Sequence, residues 1–136
     1  MANFVFGDVT EIVCQHISGI YRYYPKANES FTIDRGGIRG NDDANQVTSN
    51  GQMMSQLNRV RWSIEGPIAV DMISDSEFSS LNVLAASPSM GTWSISNIAG
   101  VTYRGIGRPI GDIQLDTNAG TLTLKLAGNR ELEKIT

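Results

Sequence analysis

The sequence predicts a mainly β protein, an antiparallel β-sandwich or β-barrel covered by one helix, α+β only in the loose sense. Three observations predict it. Short runs of alternating apolar and polar residues recur along the 136 residues. Fourteen glycines are spread among them as turn formers. Only one stretch, after Ser74, has a helical period. An apolar share of 40% with 18% charged residues suits a packed domain rather than a disordered chain. No repeat, low-complexity tract or composition shift marks a linker, so residues 1–136 read as one domain.

The first segment, Val9 to Ile20, reads as a strand. Its apolar residues fall on both parities, Val9, Val13 and Ile17 against Ile12 and Cys14, which leaves its inward face open. After Tyr21, Tyr23 and Tyr24, Pro25 and Asn28 break the pattern. Phe31 and Ile33 then alternate with Thr32 and Asp34 as a short half-buried strand. From residue 36 to 56 the chain reads GGIRGNDDANQVTSNGQMMSQ, a long loop or hairpin extension without periodicity. Connections above about 12–15 residues are uncommon in compact domains and are usually functional, so this one is a candidate contact element.

The clearest strand follows. Val60, Trp62, Ile64, Ile68, Val70 and Met72 hold one parity, while Arg59, Arg61, Ser63, Glu65 and Asp71 hold the other. Gly66-Pro67 interrupts it without changing parity and predicts an edge, bend or bulge, because proline cannot donate to a ladder. Ser74-Asp75-Ser76-Glu77 matches a capping box, and Phe78, Leu81, Leu84 and Ala85 recur at helical spacing until Pro88. Trp93 and Ile95 open the next strand and Val101 and Tyr103 another, which Gly105, Gly107, Pro109 and Gly111 are expected to break. Ile113 and Leu115 resume, a turn follows at residues 117–120, and Leu122, Leu124 and Leu126 alternate with Thr121, Thr123 and Lys125. The chain closes on a charged NRELEKIT tail. The expected core is Val60, Trp62, Ile64, Phe78, Leu81, Leu84, Trp93, Leu122, Leu124 and Leu126.

The chemistry-bearing residues do not assemble into a catalytic or metal site. His16 and Cys14 are each the only residue of their kind, so the usual zinc set cannot be built within one chain. Cys14 lies between apolar neighbours and reads as a buried structural thiol, and His16 as a structural histidine. Asp42 and Asp43 lack the spacing and distal glutamate of a calcium loop. Residues 105–111 superficially resemble a phosphate loop, but no helix follows and Pro109 removes a donor. A hydrolase using Glu65 or Asp71 has nothing assembled around either carboxylate. Trp62, Trp93 and Tyr103 could form a sugar platform, although two of them share the core parity. A net charge of −3 and a pI near 5.0 offer no general drive toward phosphate backbones. No stretch reaches the roughly 20 apolar residues of a membrane span, and the start has no signal-peptide pattern, which predicts synthesis in the cytosol without membrane insertion. The arginines Arg35, Arg39, Arg59, Arg61, Arg104 and Arg108 flank the long loop and the interrupted strands, where arginine often marks an interface.

The order of these parts resembles the tail-tube proteins of long-tailed bacteriophages, whose fold is related to the tube of the bacterial type VI secretion system. The resemblance rests on the opening strand pair, the polar extension from Gly36 to Gln56, the strand NRVRWSIEGPIAVDM, the single helix from Ser74 and closing hairpins ending in LEKI. It implies a structural subunit and no enzyme or cofactor. Rings of six copies would join strands into one inner barrel and stack through the long loop, making a channel that DNA passes without specific binding. Partners would be further copies and the sheath, baseplate and tail-terminator proteins. The protein would end in the virion tail after assembly in the host cytoplasm. On that resemblance the contact residues are Arg35, Arg39, Asp42, Asp43, Met53, Met54, Arg59, Arg61, Arg104 and Arg108. The alternatives are a baseplate or tube-capping ring of the same fold, and a monomeric carbohydrate-binding module using Trp93 and Tyr103.

Overall fold

A computed structural model describes residues 4–40 and 47–135. The strands are β1 (Val9–His16), β2 (Gly19–Tyr23), β3 (Thr32–Asp34), β4 (Gly37–Gly40), β5 (Leu57–Val60) and β6 (Trp62–Ala69). After helix α1 (Ser76–Ala86) come β7 (Gly91–Asn97), β8 (Thr102–Pro109), β9 (Leu115–Asp116), β10 (Thr121–Gly128) and β11 (Glu133–Lys134). The main sheet is antiparallel in the order β2-β1-β7-β8-β10-β6-β3, with β9 on β10 and β11 on β8. It also meets itself. The chain leaving β2 runs along β6, where Pro25 bridges Ile68 and Ala69 N donates to Tyr24 O at 2.8 Å. That contact closes the sheet into a barrel and limits its open edges.

β1 and β2 form a hairpin with His16 opposite Gly19, so the first segment is two strands. The mixed parity of β1 has a physical cause. Its register against β7 shifts between Val9 and Glu11, a bulge that turns Val9, Ile12 and Cys14 all inward. β6 alternates as expected, with Trp62, Ile64 and Ile68 buried. Pro67 sits between the last β3 pair, Thr32 with Glu65, and the Pro25 bridge, where that edge of β6 is met only by Lys26 N, which donates to Pro67 O at 3.4 Å. Phe31 packs over Gly66, whose Cβ would lie 2.5 Å from the ring.

Trp62, Ile64, Leu81, Leu84, Trp93, Leu122, Leu124 and Leu126 are buried together with Ile12, Cys14, Tyr23 and Ile95. Two expected core positions differ: Val60 is half-buried at the hairpin base and Phe78 is half-buried against the core. Met72, which shares the inward parity of β6 in the sequence, lies past the end of that strand and is exposed. Each fully buried large apolar side chain contributes about 1.5–3 kcal/mol.

β8 is continuous through Gly105 and Gly107, contrary to the expected break. The glycines make room for indole: a Cβ on Gly105 would lie 2.8 Å from the Trp62 ring, and one on Gly107 2.7 Å from it. Gly128 faces the same ring, its Cβ position 2.6 Å from Trp62 Nε1. Trp62 Nε1 donates to Ile106 O at 3.2 Å, and Trp93 Nε1 donates to Gly107 O at 3.0 Å. Both indoles are thus satisfied by one strand's carbonyls.

Two further expectations are corrected. The capping box does not form: Asp75 is the N-cap, left-handed at φ 54°, with no side-chain cap bond, and Ser74 Oγ donates to Asp71 O at 3.4 Å. The charged tail is structural: Leu132 is buried, and Glu133 and Lys134 pair with Arg104 and Tyr103 of β8.

Candidate groove beneath the projecting hairpin

β4 and β5 pair as a separate two-stranded hairpin, Gly37 opposite Val60 and Gly40 opposite Leu57. The expected extension at residues 36–56 is therefore a hairpin stem. Its far part carries a bridge between Val47 and Met53. The stem is fixed at its base by three chain segments. Gly36 (φ 74°) bridges Glu131, and a Cβ there would lie 2.6 Å from both Trp62 N and Val60 O. Trp62 N donates to Arg130 O at 3.1 Å, and Leu132 N donates to Arg35 O at 2.9 Å. Only glycine tolerates both that φ and that crowding.

Between this base and the outer face of the barrel lies a groove of 1140 Å³. One wall is the hairpin base with Ile38, Arg59 and Val60, continued by Arg61. The other is the outer face of β1, β7 and β8, with Gln15, Thr92, Arg104 and Ile106, and the end is closed by residues 128–131 and Glu133. Strand alternation builds this wall: Gln15 pairs with Thr92, and Thr92 with Ile106, so one row of outward side chains crosses three strands.

The structure sorts the expected contact residues into groups. Arg59, Arg61 and Arg104 meet in the groove, with Arg130, which was read only as part of a charged tail. None of the four makes an ion pair with a described carboxylate. Arg35 is a bracket outside the groove: its Nη2 donates to Leu132 O at 3.2 Å, and its guanidinium lies 5.5 Å above the Tyr103 ring. Arg39 pairs with Asp34 at 2.6 Å, tying β4 to β3. The Arg39 guanidinium, and then the Gly36 amide, hold the Asp34 carboxyl below its ordinary value. Arg108 Nη2 donates to Pro88 O at 2.9 Å and secures the loop after α1. Met53 and Met54 are exposed on the hairpin, 76% and 52%. Asp42 and Asp43 lie outside the described residues. Arg130, Glu131, Glu133, Ile38 and Ile106 carried no sequence signal, because nothing in the pattern tells that residues near 130 return to residues near 36 and 60.

Other chemistry-bearing groups are structural. His16 Nε2 donates to Ser89 O at 3.0 Å, so Nδ1 is the acceptor and takes the Ser18 hydroxyl at 2.8 Å. Burial pushes the Cys14 thiol up to about 12. Tyr23, stacked on Trp93 with ring centroids 6.1 Å apart, is shifted upward by burial and shares a 2.8 Å hydrogen bond with Ser80. No cluster of metal-ligating residues occurs among the described residues, and no described helix is long and apolar enough to cross a membrane. Trp93 is fully buried and Tyr103 half-buried beneath Arg35, so the pair presents no open sugar-stacking face.

The groove thus combines a surplus of arginine with isoleucine on two walls, chemistry suited to holding an acidic, partly apolar surface. No protein-family model matches this sequence, and no curated protein is significantly similar to it.

Proposed function

We propose that this protein is a structural subunit that assembles with copies of itself into stacked rings, as the phage tail-tube proteins it resembles do, forming a channel for DNA. The observation that carries this reading is the β4–β5 hairpin. It projects from the barrel with Ile38, Val47, Met53, Met54 and Leu57 all exposed. Monomeric proteins rarely expose so much apolar side chain on one element, and methionine adapts readily to a partner surface. The barrel interior is filled by side chains, so the chemistry that remains available is that of contact surfaces.

Closure of the main sheet through Pro25 changes how rings would be held. The short outer edges of β2, β3, β9 and β11 are what the described residues of the main sheet leave for strand addition, so side-chain contacts carry more of the association than edge pairing does. The hairpin contributes the inter-ring apolar contact.

Negative-stain electron microscopy and sedimentation of the purified protein, alone and with preformed baseplates, test this reading. Hollow tubes or stacked rings are expected from the intact chain, and single rings or free subunits from a variant lacking residues 42–51. A protein that stays monomeric in every condition, or a deletion variant that forms tubes as readily as the intact chain, overturns it. Single rings from the intact chain that refuse to stack would instead identify a baseplate or capping ring.

A further inference from the structure

The arginine groove has a counterpart on the same molecule. Residues 71–77, Asp-Met-Ile-Ser-Asp-Ser-Glu, run from the loop after β6 into the first turn of α1 and carry three acids and no base. Ile73 at their centre is 97% exposed, and Met72 is 53% exposed. Asp71 Oδ1 accepts from Ile73 N at 3.0 Å, and Asp75 Oδ2 accepts from Ser79 Oγ at 2.7 Å, bonds that hold the loop with Ile73 outward. An exposed apolar tip with carboxylates on both sides of it in the chain matches a groove with four arginines, two glutamates and the exposed side chains of Ile38 and Ile106.

Groove and loop cannot meet within one copy. Arg61 immediately precedes β6 and Asp71 follows it, and the eight residues of that strand, at roughly 3.3 Å each, set them about 25 Å apart at opposite ends of the barrel. A basic concave end and an acidic convex end on one molecule define a heterologous contact, which repeats without limit when copies are translated along the axis between them.

We propose that the loop of residues 71–77 of one copy docks in the arginine groove of the next, with Ile73 between Ile38 and Ile106 and its flanking carboxylates on Arg59, Arg61, Arg104 and Arg130. This rests on the self-assembling reading above and adds the surface that gives stacking its direction. Charge complementarity here fixes which end faces which, since two grooves or two loops repel.

The test is a charge swap. Arg59→Glu/Arg61→Glu makes the groove acidic, and Asp71→Arg/Ile73→Arg makes the loop basic. All four side chains are exposed, and thermal unfolding verifies that each variant is folded; Arg59→Gln/Arg61→Gln serves if the glutamate pair is not. Each variant alone is expected to raise the concentration needed for stacking by at least about tenfold, as loss of desolvated charge pairs does. An equimolar mixture of the two restores stacking, because alternating copies make every interface complementary. Stacking that survives either reversal unchanged, or a mixture that stays dispersed, overturns the docking proposal while tubes from the unaltered protein leave the parent reading standing. An unaltered protein that never associates overturns both.

Discussion

Trp62 lies against backbone that has room for it because three positions lack a Cβ. At Gly107 an added methyl would meet Ala127 O as well as the indole, and at Gly128 it would meet Ile106 O and, at 2.6 Å, Gly107 Cα. Backbone cannot yield as a side-chain tip does. Gly128→Ala is therefore expected to cost at least about 3 kcal/mol, the upper end for overpacking. Gly40→Ala, which meets nothing within 4 Å, is expected to stay within about 0.5 kcal/mol. Urea midpoints measure both. The sequence showed these glycines as punctuation in a strand, because the volume a glycine vacates has meaning only once its occupant is known. Tryptophan as core was legible from parity alone. The Asp34–Arg39 pair yields a pH prediction. The Asp34 pKa is lowered on folding, so the pair stabilises fully above the unfolded value of about 3.9 and its contribution is lost as pH falls through the lower folded value. Asp34→Asn should reduce the melting temperature slightly at pH 7, and the gap to the unaltered protein should close below about pH 4. A gap that persists unchanged at pH 2 would mean that the charge pair is not its cause.

At the scale of elements, periodicity located the helix and the strands with a clean alternation, among them β3, β6, β7 and β10. It merged β2 with β1 and β5 with β6 and did not show β4 or β11. The boundaries obeyed chemistry that a pattern cannot display. Ser74 has the residue type and spacing of a cap, yet the chain turns left-handed at Asp75, and the hydroxyl is left on a long bond to Asp71 O. Ser74→Ala should then cost less than about 0.5 kcal/mol, against about 1 kcal/mol for a working cap. A full capping loss in denaturant titration would show that the box forms in solution. β11 was invisible because NRELEK is polar at every position but Leu132. That side chain is fully buried, and its backbone is tied to Arg35 on both sides. Leu132→Ala is expected to cost about 2–5 kcal/mol and to loosen the hairpin base, read as faster amide exchange at Gly36 and Trp62. Equal exchange in both proteins would separate the tail from the hairpin.

For the whole molecule, the fold class was legible from alternation and glycine content, whereas closure of the barrel and the existence of the groove were not. Both depend on contacts between distant segments, Pro25 with Ile68 and residues 130–132 with the hairpin base. In the sequence the arginines stand apart from one another. That three of them share a groove while three others brace neighbouring segments follows from where each lies along the chain's contacts: Arg104 and Arg108 share the outward face of β8, yet only Arg104 lies under the hairpin base. Cys14 offers a probe of this closure. With its thiol buried and pushed up to about 12, it should react with a disulfide reagent at pH 8 only as fast as the barrel opens, and immediately in denaturant. Rapid labelling of the native protein would mean that the barrel opens locally at β1.

The bond from Arg35 to Leu132 spans 97 positions of sequence. Chains are made from the N-terminus at about 5–20 residues per second, so the hairpin is synthesised several seconds before the segment that braces it. During that interval the stem lacks the brace that residues 130–132 supply. The bonds of residues 130–132 to the hairpin base can form only after that segment is made; on the self-assembling reading proposed above, a translating polypeptide would then be a poor building block and a completed one a good one. The order of synthesis itself would then keep half-made subunits from joining finished ones on the polysome.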